Sequence, residues 1–157
     1  MRFIVDGMLG KLAKWLKILG FDTLFLPAED DRILSAARRE GRVVLSRDRE
    51  LVRRAGRHPA LLVESTNWED QVRQVLAKFD LLGEARPFTR CLECNALLNP
   101  LSREGAANLL PPSVLDQSAS FSLCPQCGRF FWAGTHHAAM ERTLSRLLGP
   151  EEGNPPS

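Results

Sequence analysis

Phe3-Ile4-Val5-Asp6-Gly7-Met8-Leu9-Gly10-Lys11-Leu12-Ala13-Lys14-Trp15-Leu16-Lys17-Ile18-Leu19-Gly20 is the stretch whose reading decides the fold. Its first three residues form an apolar run of strand length that stops at Asp6. Gly7 supplies a turn. Leu9, Leu12, Ala13, Leu16 and Leu19 then recur at helical spacing, with Lys11, Lys14 and Lys17 on another side, and Gly20 ends the helix. A buried strand, an acidic turn and an amphipathic helix follow one another without a break.

The same order repeats downstream. Thr23 to Leu26 reads as a strand closed by Pro27, and Asp30 or Asp31 caps a helix that runs to Glu40, with Ile33, Leu34, Ala36 and Ala37 inward and Gly41 behind it. Val43 to Leu45 is a third strand, and Asp48 stands where the chain turns into a helix carrying Leu51, Val52 and Ala55. Ala60 to Val63 is a fourth strand, and Trp68 to Phe79 a fourth helix. Strands alternating with helices predict a parallel sheet covered on both faces, and the nearly all-apolar strands agree, because parallel strands are buried on both sides.

This pattern stops near Gly83. Residues 88–137 hold all four cysteines, several prolines and little periodicity, and Ala138 to Leu148 reads as a terminal helix. The expected organisation is an α/β domain over 1–83, a small metal-stapled module with its helix over 88–148, and a disordered Pro/Gly/Glu-rich tail over 149–157. The chain has 157 residues, 44% hydrophobic and 25% charged, with a net charge of +2. That is ordinary globular composition. Asp6 interrupts the apolar start, and no run approaches the roughly 18 apolar residues that span a bilayer. The expectation is a soluble cytoplasmic protein without a membrane partner. Oligomeric state is not legible.

Cys91-Leu92-Glu93-Cys94 and Cys124-Pro125-Gln126-Cys127-Gly128 are two Cys-x-x-Cys turns. In a reducing compartment, paired thiols favour a metal over disulfides. Two residues between ligands let both thiolates reach one tetrahedral ion at about 2.3 Å. Residues 95–123 separate the turns, a longer gap than the usual 15–20 or so, but doubling a loop costs only about 0.6 kcal/mol in closure entropy. Cys91, Cys94, Cys124 and Cys127 are therefore expected to hold one structural Zn²⁺, with no open position for catalysis. Phe130, Phe131 and Trp132 offer an apolar strand beside it.

The acids have a pattern of their own. Asp6 ends the first strand, Asp30 and Asp31 open the helix after the second, and Asp48 follows the third. In an open parallel sheet these places share the carboxyl edge, where ligands bind. Clustered carboxylates repel unless a cation neutralises them, and oxygen donors suit Mg²⁺ or Mn²⁺. Such an ion can activate water against a phosphodiester. Each acid is equally readable alone as a helix cap or turn residue. Lys11, Lys14, Arg47 and Arg49 flank the same edge and suit a polyanion, although arginine-rich stretches also make ordinary solvated faces.

Several stretches together resemble the PIN-like ribonuclease domains of the Mut-seven C-terminal family, which join a PIN-like fold to a zinc ribbon. They are Leu9 to Asp22, Asp30-Asp31 before a helix, Val43-Val-Leu-Ser-Arg-Asp-Arg-Glu-Leu51, Arg90-Cys-Leu-Glu-Cys94, and Cys124-Pro-Gln-Cys-Gly-Arg-Phe-Phe-Trp-Ala-Gly-Thr-His136. The resemblance runs over about residues 1–147. It implies a three-layer PIN-like domain, a metal-dependent ribonuclease activity and RNA as partner. It implies that Asp6, Asp30 and Asp48 bind Mg²⁺ or Mn²⁺, with Asp30 a better match than Asp31 and Glu50 a further acid. No motif marks another aspartate between Ala60 and Leu82. Lys11, Lys14 and Arg47 would bind phosphate, and Trp132 and His136 of the ribbon would contact bases. Two other readings stay open: a non-catalytic RNA-binding protein associated with tRNA or the ribosome, and a protein adaptor built on the ribbon.

Overall fold

A computed structural model describes residues 1–118, 120–134 and 137–149. The chain falls into two compact units, Met1–Asn95 and Ala96–Ser157.

In the first unit the alternation takes shape as β1 (Arg2–Val5), α1 (Gly10–Ile18), β2 (Asp22–Phe25), α2 (Asp30–Glu40), β3 (Val43–Ser46), α3 (Arg49–Ala55), β4 (Ala60–Leu62) and α4 (Trp68–Lys78). The four strands form one sheet in the order β2-β1-β3-β4, and every neighbouring pair is parallel. Phe3 faces Thr23 on one side and Val43 on the other, and Val5 faces Phe25 and Leu45. Phe3, Ile4, Val5 and all of β3 are buried, as central parallel strands must be.

Side chains alternate across the sheet. Ile4 and Val44 share one core with Ile33, Leu34, Ala36 and Ala37 of α2 and Leu51 and Ala55 of α3. Phe3 points to the opposite face, where its ring meets Phe21 edge-on at 6.3 Å and Phe79 at 5.9 Å, and there α1 packs against α4. Helix pairs thus cover both faces, giving the expected three layers. Because α1 and α3, which follow β1 and β3, leave toward opposite faces, the turns after β1 and β3 diverge. That divergence is the switch point of the strand order, where open parallel sheets build ligand crevices.

Gly20 shows how tightly the end of α1 is fitted. Its φ is +96°, and a Cβ there would stand 2.3 Å from the Arg86 carbonyl oxygen. The adjoining strap is tied by Arg86 N to Leu19 O (2.8 Å) and Phe88 N to Ile18 O (2.9 Å).

The second unit contains an antiparallel three-stranded sheet of β5 (Asn99–Leu101), β6 (Phe121–Leu123) and β7 (Phe130–Trp132), in that order. Two short helices, α5 (Arg103–Ala107) and α6 (Pro112–Leu115), stand between β5 and β6. They account for the long spacing between the two cysteine pairs. Ser102 caps α5 by accepting from Gly105 N. Helix α7 (His137–Leu148) buries Leu144 and Leu147. Of the tail read as disordered, residues 150–157 lie outside the described residues.

Candidate functional site

The turns after β1 and β3 meet through one buried hydroxyl. Ser46, the last residue of β3, is fully buried, and its Oγ donates to Asp6 Oδ2. The same Oγ accepts from Asp48 N at 2.9 Å. The other oxygen of Asp6 accepts from Met8 N at 3.0 Å. Asp6 is 7% exposed and is held rigidly at the end of its strand. Asp48 is exposed and caps α3, its Oδ1 accepting from Glu50 N at 2.9 Å and Leu51 N at 3.4 Å. Two aspartates from strands far apart in sequence therefore share one turn system at the carboxyl edge.

The remaining acids are engaged elsewhere. Asp30 and Asp31 open α2 and both pair with Arg54 near the end of α3; the Asp30 contact is 3.4 Å. The hydrogen bond that Arg54 donates to Asp31, followed by the Asp31 charge, raises the pKa of Arg54. Glu50 pairs with Arg53 on its own helix, and that hydrogen bond lowers the pKa of the carboxyl. Among the described residues, these acids form no group of three or more that could hold an ion together.

The basic candidates also separate. Lys11 and Lys14 are exposed on α1, and Lys11 Nζ lies over the Trp68 ring, 4.9 Å from its centroid. Arg47 donates through Nη2 to Glu64 O at 3.4 Å, while its Nε is buried without a hydrogen-bond partner. Trp132 in β7 is 38% exposed, and its indole N–H donates to Gln117 Oε1 at 3.3 Å. His136 lies outside the described residues.

The cysteines do come together. Cys91 to Cys94 closes as a turn through Asn95 N to Cys91 O (2.9 Å), and Cys124 to Cys127 through Gly128 N to Cys124 O (3.0 Å). Each turn ends on a left-handed residue, Asn95 at φ 68° and Gly128 at φ 77°. Asparagine and glycine tolerate that conformation best. Cys127 N donates to Cys124 Sγ at 3.4 Å. The four sulfurs all lie within 4.8 Å of one another, so they are placed to hold a metal ion such as zinc. A tetrahedral ion with bonds of about 2.3 Å spaces its sulfurs at about 3.8 Å, which fits this group.

The first cysteine turn is anchored on the sheet domain by contacts that sequence reading did not anticipate. Asn95 Oδ1 accepts from Thr23 N at 3.0 Å, and its amide donates to Asp22 Oδ1 at 2.6 Å. Arg42, 6% exposed, donates to the same Asp22 oxygen at 2.7 Å, and Arg2 reaches Asp22 Oδ2 at 3.1 Å. Arg90 Nε donates to Gly20 O at 3.0 Å and Lys17 Nζ to Leu92 O at 2.6 Å. Burial pushes the Asp22 carboxyl up, but the hydrogen bonds from Arg42 and Asn95, then the Arg42 charge and Arg2, outweigh it and bring it to about 2. Asp22 opens β2, so this anchor sits at the amino edge of the sheet, opposite the edge that carries Asp6 and Asp48.

Ser46 is the site residue that sequence reading passed over. Its signal was available: a small hydroxyl closing an all-apolar strand two residues before Asp48. The Asp22–Asn95 contact had no comparable signal, since nothing local links residues 73 apart.

Among the described residues, no helix is long and apolar enough to cross a membrane. Comparison with curated proteins and with solved structures returns no match. A family model described as the Mut7-C RNAse domain matches residues 1–144, in agreement with the resemblance carried by the motifs. With a parallel α/β sheet, a four-cysteine group and a match over nearly its whole length, the chain belongs to the Mut7-C RNAse domain family.

Proposed function

We propose that this protein hydrolyses RNA phosphodiester bonds with Mg²⁺ or Mn²⁺ at the carboxyl edge of its parallel sheet. The observation that supports this most is the Asp6–Ser46–Asp48 arrangement at the switch point between β1 and β3. The donors there are hard oxygens, and only one oxygen of Asp48 is used in capping α3. Mg²⁺ commonly takes only one or two protein carboxylates, with substrate phosphates and water completing its shell. Asp6 and Asp48 are thus a sufficient protein contribution. When bound, such an ion supplies an activated water and neutralises charge on the leaving oxygen.

The chain's own residues have distinct parts in this reading. Asp6, fixed by Ser46 and Met8 N, gives a preorganised carboxylate. Asp48 gives an exposed one. Lys11, Lys14 and Arg47 hold phosphates. Asp30, Asp31 and Glu50 contribute only if Arg54 and Arg53 release them. Zn²⁺ on Cys91, Cys94, Cys124 and Cys127 is structural, and the ribbon, through residues such as Trp132 and His136, aids RNA binding. A thiolate site of this kind suits a reducing compartment such as the cytoplasm.

A second reading, an RNA-binding protein without turnover, is favoured by the pairing of Asp30, Asp31 and Glu50 with arginines. One experiment decides between them. Purified protein is incubated with single-stranded and structured RNAs in Mn²⁺, in Mg²⁺ and in EDTA, beside an Asp6→Asn/Asp48→Asn variant. The hydrolase reading expects metal-dependent cleavage that the variant lacks. No product from either would leave RNA binding alone, and equal products from both would remove Asp6 and Asp48 from the cleavage.

A further inference from the structure

Trp15 and Trp68 stack with ring centroids 4.9 Å apart and planes 18° from parallel. Trp15 is 7% exposed, which core packing explains. Trp68 is only half-buried, and the exposed Lys11 sets its ammonium 4.9 Å from the centre of that indole. A lysine ammonium is strongly hydrated, and a contact with an aromatic ring at an exposed position is weak. The pair therefore sets an exposed, weakly held cation beside a part-exposed indole, whose ring the ammonium overlies until it turns away.

Their place in the fold gives the pair its meaning. Helix α1 begins just after Asp6 and is tied to it by Leu9 N to Asp6 O at 3.2 Å. The turn into α4 is tied to the Ser46–Arg47–Asp48 segment by Val63 N to Ser46 O at 2.7 Å and Arg47 Nη2 to Glu64 O at 3.4 Å. Lys11 and Trp68 thus stand in the first turns of the two helices that leave from the carboxyl edge on one face of the sheet. Asn67, capping α4 through Glu69 N at 2.9 Å and Asp70 N at 3.2 Å, fixes where the indole starts.

We infer that Trp68 and Lys11 form a subsite for one nucleotide of single-stranded RNA, the base stacking on the indole and the ammonium turning to its phosphate. The inference rests on the ribonuclease reading for what happens next to the subsite, but not for binding itself. A flat aromatic with an adjacent cation is the usual means of holding an unpaired nucleotide regardless of its base, because every base has a π-face. Trp15 backs the indole and keeps it upright. An occupant without a base would gain only the cation.

The test uses the full chain in EDTA, so that binding is read without cleavage. Affinities are measured for a short oligouridine and for an abasic oligomer of the same length, with wild type, Trp68→Phe, Trp68→Leu and Lys11→Met. Wild type should prefer the base-bearing strand by roughly 5- to 150-fold. Trp68→Leu should lose that preference, while Trp68→Phe, which keeps a π-face and most of the packing on Trp15, should retain most of it. Lys11→Met should flatten the slope of log affinity against log salt by about 0.7. Wild type that does not distinguish the two strands, or Trp68→Leu that distinguishes them as wild type does, overturns the subsite. Cleavage in Mn²⁺ is assayed in parallel. If no protein cleaves but the base preference still depends on Trp68, the subsite stands and the hydrolase reading fails. If Trp68→Leu cleaves with unchanged KM, the subsite fails and the hydrolase reading stands.

Discussion

The hydroxyl of Ser46 donates a hydrogen bond to the carboxylate of Asp6, forty residues earlier in the chain, from a position fully closed to solvent. The same oxygen receives the Asp48 amide. One small side chain therefore sets the spacing of two turns.

Ser46→Ala removes both bonds while changing little volume. It leaves the Asp48 amide and one oxygen of a nearly buried carboxylate short of a partner. The expected cost is about 1–3 kcal/mol, read as a lowered denaturation midpoint with an unchanged denaturant slope. A variant as stable as wild type would mean that the two turns hold their positions independently.

Asp48 has two separable duties. As the cap of α3 it is replaceable by Asn, which caps equally well, whereas Ala costs about 1 kcal/mol. As a metal-holding carboxylate it is replaceable by neither. Asp48→Asn should therefore keep wild-type thermal stability and lose Mn²⁺-dependent cleavage, while Asp48→Ala loses both. Full cleavage by Asp48→Asn would reduce Asp48 to a cap.

Asp22 makes stability depend on acid. Its folded pKa of about 2 lies below the ordinary value of 3.8, so the unfolded chain binds a proton first. The stabilisation is complete above about pH 4 and is lost as pH falls through about 2. The fall from 3.8 to about 2 corresponds to about 2.5 kcal/mol unscreened, and the partial exposure of Asp22 screens this to about 1 kcal/mol. Denaturation at pH 5 and pH 2.5 should show a smaller stability difference in Asp22→Asn than in wild type. Asp22→Ala should cost about 2 kcal/mol at pH 7, since it removes the closer of the two carboxylates paired with the buried Arg42 and leaves only Glu40 at 3.4 Å.

The four cysteines should carry one zinc per chain by elemental analysis. Metal binding in such modules is largely folding energy. Cys124→Ser, or a strong chelator, should release the metal and abolish ordered near-ultraviolet signals from the ribbon's Trp132. A chain that is metal-free as purified and equally stable with chelator would remove zinc from the structure. Cys91→Ser should act further, because its turn is bonded through Asn95 and Arg90 to β2 and the end of α1.

Several features were legible before any tertiary contact was known. Leu9, Leu12, Ala13 and Leu16 recur at the period of a helix, and Phe3-Ile4-Val5 and Val43-Val44-Leu45 are runs that only a doubly covered strand accommodates. These are short-range properties, and they sufficed for the alternation, the parallel sheet and the location of Asp6 and Asp48 at strand ends. The cysteine pairs were legible because two-residue spacing is itself a metal-ligand geometry. The three-residue strands β5 and β6 were not, since nothing so short shows a period.

What only the tertiary structure decided is which of these residues meet. Asp6 finds Ser46, Asp30 and Asp31 find Arg54, Trp68 finds Trp15 and Lys11, and Asp22 finds Asn95. Asp6, Asp30 and Asp48 look equivalent along the chain, each beside a strand end or helix start. Strand order separates them, because β1 and β3 are neighbours with a shared hydroxyl at their ends, while α2 starts beyond the edge strand β2 and lies within reach of an arginine on α3. Periodicity places a residue on an element. The pairing of elements, set by burying both faces of one sheet, places it beside its partner.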